Sequence, residues 1–382
     1  MRRMSQTDIL PFIHVQGSWG EMGHTVGRML EPAIARHAET WIRHITAETG
    51  AARAEVLGAA AGFQRPIQEH AGFLWEELDG MARGASIPAG ELLVLQARAE
   101  VLRALRDRRG RPAPAEPECT TFAVGGRRTA GGGVLFGQNV DLVPFVEEFG
   151  AVVRQYPKDA PAALLYTSAG LLGHNGLNEA GVGICANFVD DPSGWGYGVP
   201  RYLLSRLALR EGTAEAALKA ALAPPRAASR NLLVADQGGT FVDAECLRHR
   251  VGVIQGADDM LVHANHLESA ELSALEAPAE NSLRRRRRLQ HLIESSAAPL
   301  TVEQLQGFYR DHADAPHSLC AHPFAGRNIK TVVSVIGDLT ARELHAAKGS
   351  PCRTRYATYT LATCQTGALS VTVRDSFAVP AS

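Results

Sequence analysis

Cys119-Thr120-Thr121-Phe122-Ala123-Val124 reads as a β-strand. The run before it, Arg108-Arg109-Gly110-Arg111-Pro112-Ala113-Pro114-Ala115-Glu116-Pro117-Glu118, reads as a flexible linker rich in proline and arginine. A cysteine at that junction suggests a specific chemistry. If the chain is cut between Glu118 and Cys119, Cys119 becomes a new N-terminal residue whose free α-amine acts as base for its own thiol.

The texture of the chain changes at this junction. From about residue 18 to 105 the spacing is helical, with Met22, Val26, Met29 and Leu30, then Leu74, Leu78 and Met81, on recurring faces. Gly17, Gly20, Gly23 and Gly27 crowd the first of these helices, and no strand leads into them as a dinucleotide loop requires. Close helix packing is the expectation. Beyond the linker, short apolar runs between glycines (133–137, 151–153, 162–166 and 181–186) read as strands, joined by further runs at 231–235, 240–244, 252–254 and 331–336. Helical patterns fall near 201–209, 214–222, 281–295 and 302–309, and 356–373 reads as a closing pair of strands. Blocks of strands separated by helices indicate an α+β layered fold, with sheets packed on each other and helices outside.

Composition narrows the partners. The 382 residues are 45% hydrophobic and 21% charged with a net charge of -1, so there is enough chain for a large core and no general attraction to nucleic acid or an anionic membrane. Small molecules are the expected partners. Met1 to Asp8 are not followed by the apolar run of a secretory signal, and no stretch is long enough to span a bilayer, so a cytoplasmic protein is expected. The cysteines at 119, 185, 246, 320, 352 and 364 are scattered and form no C-x-x-C pair, which argues for reduced thiols and against a zinc ribbon. His263 and His266, three apart, read as polar pairing, and no metal site is expected. The run Arg284 to Arg288 spreads around a helix and makes no single basic face, so its members are expected to face solvent or pair with Glu268, Glu271, Glu276 and Glu280.

Several short strings in order, Cys119-Thr120-Thr121-Phe122, Gly137-Gln138-Asn139-Val140-Asp141, Gly176-Leu177-Asn178-Glu179-Ala180-Gly181-Val182, His263-Ala264-Asn265-His266-Leu267, Ser282-Leu283-Arg284-Arg285 and Gly349-Ser350-Pro351-Cys352, together with Gly17 to Gly23, give the chain its resemblance. It resembles the acyl-coenzyme A:6-aminopenicillanic acid acyltransferase family, peptidase family C45, within the N-terminal-nucleophile hydrolases. The resemblance implies a four-layer αββα sandwich with a helical N-terminal segment. It also implies a precursor that cuts itself into residues 1–118, retained as a partner chain, and 119–382, the catalytic chain. The best-known members carry glycine before the cysteine where this chain has Glu118, a substitution expected to slow the N-to-S acyl shift.

Residue roles follow. Cys119 is the expected nucleophile, since the thiolate is the reactive form and an α-amine with an ordinary pKa of about 7.7–8.0 can take its proton. Asp141 is expected to hold the α-ammonium or the thiol by a charge-assisted hydrogen bond. The resemblance makes Asn265 an oxyanion donor, a role whose loss typically costs about 2.7–4 kcal/mol. It also places Arg327 near the nucleophile, where a cation lowers the thiol pKa, and makes Asn187 a second polar group near the oxyanion. His312, His317 and His322, in a loop-like segment before Arg327, are candidates to line the substrate entrance.

The expected enzyme takes the acyl group of a small-molecule amide, or of an acyl thioester, onto Cys119 and passes it to water or an amine. It needs no cofactor, although acyl-coenzyme A fits as co-substrate, and a homo-oligomer is compatible with it. The alternative is an uncut, catalytically silent relative that only binds such a ligand.

Overall fold

Alternation along the strand after the linker sorts its two faces: Cys119 and Ala123 join the core between two sheets, while Phe122 and Val124 join a second core beneath helices. The structure is a computed structural model that describes residues 9–110, 118–361 and 371–372. The linker at 111–117 and Cys364 lie outside the described residues.

The strands are β1 (Phe12–Gly17), β2 (Glu118–Val124), β3 (Leu135–Leu142), β4 (Gly150–Pro157), β5 (Ala163–Ser168), β6 (Asn175–Asn178), β7 (Val182–Asn187), β8 (Arg230–Asp236), β9 (Phe241–Cys246), β10 (Val251–Gln255), β11 (Met260–His263), β12 (Lys330–Asp338), β13 (Glu343–Lys348), β14 (Tyr356–Thr360) and β15 (Val371–Thr372). The helices are α1 (Trp19–Met29), α2 (Glu31–Thr49), α3 (Arg53–Ala61), α4 (Gln64–His70), α5 (Gly72–Gly84), α6 (Ala89–Gln96), α7 (Arg98–Arg108), α8 (Leu204–Ala208), α9 (Ala214–Leu222), α10 (Glu280–Glu294) and α11 (Val302–Phe308).

One sheet runs β1-β4-β5-β6-β7-β8-β9-β10 and the other β11-β2-β3-β12-β13-β14-β15. They face each other where β2 and β3 meet β7, with α8 and α9 outside the first sheet and α10 and α11 outside the second. This is the expected αββα order. Except for β1 beside β4, neighbouring strands pair antiparallel. The N-terminal segment is therefore not only helical, because β1 supplies an edge strand to the first sheet.

Helix packing explains the early glycines. A Cβ on Gly23 would lie 2.0 Å from the Glu77 carbonyl oxygen, and one on Gly80 would lie 2.2 Å from that of Gly20. Thus α1 and α5 touch backbone to backbone, as the sequence suggested. A buried ion pair, Glu77 with Arg206 at 2.8 Å, ties the helical segment to the strand-rich remainder, and Gln155 joins it from β4.

On α10 the buried positions Ser282, Arg285, Leu289 and Ile293 repeat at helical spacing. Of the five consecutive arginines only Arg285 falls on that stripe. Arg284 pairs with Glu280, Arg286 with Glu268 and Arg288 with Asp311, while Arg287 is exposed.

Candidate active site at Cys119

Strand register assembles the site. In the β2/β3 ladder Glu118 lies opposite Asp141 and Cys119 opposite Val140, and in the β3/β12 ladder Thr331 lies opposite Asp141. Residues far apart in sequence thus meet at one end of three adjacent strands.

Cys119 is buried, and its backbone N–H donates to Asn265 Oδ1 at 2.7 Å. Arg285 closes the other side: Nη1 donates to the Cys119 carbonyl at 2.6 Å and to Thr120 Oγ1 at 2.7 Å, and Nη2 to Asn265 Oδ1 at 2.8 Å. Asn265 is held in turn by Ser282, whose Oγ accepts its backbone N–H at 2.8 Å. Two donors converge on Oδ1, so the orientation of the amide is determined, and Nδ2 donates to the Phe188 carbonyl at 2.9 Å. An amide nitrogen carries two N–H groups, so one remains for an incoming oxygen.

Asp141 is fully buried and accepts from Thr331 Oγ1 at 2.6 Å, while its Oδ2 has no hydrogen-bond partner among the described residues. Burial raises its carboxyl to about 7, against the opposing pull of Arg285 and Thr331. Burial, with the Asp141 charge, also raises the Cys119 thiol to about 11, overcoming Arg230 and Arg285. At neutral pH only about one thiol in ten thousand is then ionised in the uncut chain.

The other expected site residues are placed differently. Asn187, at the end of β7, is buried between the sheets: Nδ2 faces Thr121 Oγ1 at 3.0 Å and the His263 carbonyl at 3.3 Å, and Oδ1 accepts from Gln138 at 2.8 Å. Its polar atoms join the two sheets. Arg327 is half-buried in the turn that precedes β12, with its guanidinium 5.5 Å from the Phe324 ring centre. The cations acting most on the thiol are Arg230 and Arg285 instead. His263 contacts Glu245 at 3.1 Å, and His266 contacts Ser282 at 2.8 Å, so both work in hydrogen-bond networks. Burial alone would lower the His263 pKa, yet Asp243 and Glu245 outweigh it and hold the ring at about 9.

Two features escaped the sequence reading. The first is Arg285, already present in the Ser282-Leu283-Arg284-Arg285 string. The second is a group of three buried guanidiniums around Tyr202, with Arg98, Arg230 and Arg201 at 3.6, 4.7 and 5.5 Å from its ring centre. Burial would raise the Tyr202 pKa, but these charges lower it on balance. Burial lowers Arg230 itself to about 10, and its Nε and Nη2 have no hydrogen-bond partner among the described residues. Beside this group a surface pocket is lined by Phe188, Arg201, Ser229, Trp195 and Glu100, among others. Phe188 therefore both borders the pocket and receives the Asn265 amide.

Residues 128–352 match the family described as acyl-coenzyme A:6-aminopenicillanic acid acyl-transferase. The chain is 25% identical over 349 residues to the acyl-coenzyme A:6-aminopenicillanic-acid-acyltransferase 40 kDa form of Emericella nidulans, covering 89% of this chain and 93% of that one. Among solved structures it is similar to penicillin V acylase from Agrobacterium tumefaciens, with TM-score 0.43 and 13% identity over 64% of this chain and 86% of that one. It is also similar to a mutant conjugated bile acid hydrolase from Clostridium perfringens, with TM-score 0.44 and 12% identity over 65% of this chain and 99% of that one. Among the described residues no helix is long and apolar enough to cross a membrane. With a family match over more than half its length, the chain belongs to the acyl-coenzyme A:6-aminopenicillanic acid acyl-transferase family.

Proposed function

We propose that the protein is a self-processing N-terminal-cysteine enzyme that moves an acyl group from an amide or thioester through Cys119 to water or an amine. The observation that carries this reading is the seat of the Cys119 backbone nitrogen. It is already bonded to Asn265 Oδ1, beside an Asp141 oxygen with no donor of its own among the described residues.

In self-cleavage the Cys119 sulfur attacks the Glu118 carbonyl carbon, the Glu118–Cys119 C–N bond breaks to leave Glu118 on sulfur as a thioester, and the nitrogen takes up the thiol proton to become an amine. Water then hydrolyses the ester-like linkage to give the Glu118 carboxylate, the Cys119 thiol and an α-ammonium. That ammonium supplies Asp141 with a cationic partner and, once deprotonated, removes the thiol proton. In turnover the sulfur attacks the substrate carbonyl, Asn265 Nδ2 donates to the oxyanion, and the leaving amine departs with a proton. Water or an amine then attacks the thioester and releases the thiol. The Glu77–Arg206 pair, buried on both sides, supports retention of the N-terminal segment after the cut.

The buried Arg230, which acts on the Cys119 thiol and whose Nε and Nη2 have no acceptor among the described residues, favours a substrate with a carboxylate near its reacting bond, since an arginine donor buried without an acceptor is costly. 6-Aminopenicillanic acid, an amine bearing a carboxylate, has that chemistry. The test is a single-turnover experiment with acyl-coenzyme A thioesters and N-acyl amino acids as donors, with and without 6-aminopenicillanic acid. A covalent acyl adduct on the peptide beginning at Cys119 supports the reading. Its absence with every donor, in protein whose Cys119 reacts only slowly with iodoacetamide, favours a ligand-binding relative that is catalytically silent.

A further inference from the structure

From the loop after α11 and the turn after β13 come four side chains that play no part in the Cys119 site. His312, Cys320, His322 and Cys352 each offer one ligand atom, and the four atoms lie within 4.8 Å of one another. His312 Nε2 and His322 Nε2 are 3.1 Å apart, and His322 Nε2 lies 3.6 Å from Cys320 Sγ and 3.4 Å from Cys352 Sγ. Tetrahedral zinc has Zn–N of about 2.0–2.1 Å and Zn–S of about 2.3 Å, which sets edges of about 3.3 Å between nitrogens and about 3.6 Å between nitrogen and sulfur. The three edges that meet at His322 Nε2, at 3.1, 3.6 and 3.4 Å, come close to these values. We infer that His312, Cys320, His322 and Cys352 form a structural Cys2His2 zinc site.

The donor set selects the metal. Two thiolates with two imidazoles in a tetrahedral arrangement suit Zn²⁺, whereas an oxygen-seeking ion such as Mg²⁺ or Ca²⁺ finds no carboxylate among the four. Binding releases the two thiol protons, and two thiolates balance the charge of the ion in a half-buried place. Protein side chains fill all four positions, so no site is left for water or substrate, and the role is structural.

The ion would fasten two segments of the second sheet's outer layer. The loop after α11 is anchored through Arg288 to Asp311 at 2.6 Å, and Arg310 Nε reaches the Pro351 carbonyl at 3.0 Å. Between Cys320 and His322, the Ala321 backbone N–H donates to Thr331 Oγ1 at 2.9 Å, and Thr331 Oγ1 in turn donates to Asp141. The metal site therefore lies two residue steps from the carboxylate beside Cys119. This departs from the sequence expectation of no metal. The ligands are too unevenly spaced along the chain to form a recognised zinc pattern, and only the fold brings Cys352 to the other three.

The test uses untagged full-length protein purified without a chelating column, dialysed after exposure to Zn²⁺ and analysed for metal. About one zinc per chain is expected, with restoration by zinc of the thermal stability lost to a chelator. Co²⁺ in its place should give the visible bands of a tetrahedral ion together with thiolate charge transfer. Cys320→Ser should abolish this binding. His312→Gln, at an exposed position, keeps both thiols and should weaken zinc by more than the roughly 10–100-fold that loss of an outer-shell contact costs. Cys119→Ser should retain the metal fully. The inference is overturned if the wild type holds no zinc, if Cys320→Ser and His312→Gln bind it as tightly as wild type, or if Cys320 and Cys352 are found joined as a disulfide in the purified protein.

Discussion

Arg285 and Arg230 are both buried and both act on the Cys119 thiol, yet their donors are used in opposite ways. Arg285 comes from the helix layer and gives hydrogen bonds to the Cys119 carbonyl, Thr120, Asn265 and Asn281. Arg230 opens β8 in the facing sheet, stacks near Tyr202 and leaves Nε and Nη2 without acceptors among the described residues. The first is built into the scaffold around Cys119. The second is a buried charge with donors left open among the described residues, which is why the proposed function gives one to positioning and the other to substrate.

That contrast is broken most easily at Arg285. Arg285→Met should cost about 3–5 kcal/mol in urea unfolding, as removal of one partner from a buried polar network does, and should stop the appearance of two chains on denaturing gels. If the variant is as stable as wild type and is still cut, Arg285 does not hold Cys119 in place.

The next effect is electrostatic. Asp141 is raised to about 7 despite Arg285, well above the ordinary aspartate value of about 3.9. A carboxyl raised in the folded state stabilises the fold fully below its unfolded pKa, and that contribution is lost as pH rises through its folded pKa. The Cys119→Ala chain, which cannot cut itself, should therefore lose stability between about pH 4 and pH 7, by an amount on the order of a few kcal/mol. Asp141→Asn in the same background should flatten that slope. An unchanged slope would mean that Asp141 is paired in a way the site does not provide.

Arg230→Met should preserve folding and self-cleavage while raising KM for a carboxylate-bearing substrate about tenfold or more, worth about 1.4 kcal/mol, with little change for a neutral one. Equal losses for both substrates would contradict the comparison. The smallest effect belongs to Arg327→Gln, expected to stay within about 0.5 kcal/mol in stability and to leave the thiol's pH profile in place, since Arg327 is half-buried in a turn over Phe324.

Much of this was legible in the sequence, and the pattern of what was missed is physical. The inter-sheet face of β2 and the strands at 133–137 and 331–336 follow from alternation and glycine turns, so Cys119 and Asp141 could be found from local pattern. The register that sets Thr331 opposite Asp141 joins strands about 190 residues apart and leaves no local trace. Strand β1 was missed because six residues ahead of a helical block carry too short a period. Arg285 was visible in principle, because it shares a stripe with Ser282, Leu289 and Ile293, but it was hidden in a run of like residues. The guanidiniums around Tyr202 come from α7, from the segment before α8 and from β8, and only the folded layers assemble them.

The proposed function depends on whether the chain is cut before Cys119. Intact-mass analysis of purified wild-type protein, with N-terminal sequencing of the larger fragment, tests it directly. The account predicts two chains that co-purify, the larger beginning at Cys119, and a single chain for Cys119→Ala. A wild-type chain that stays whole after long incubation and still turns over an amide or thioester would contradict it.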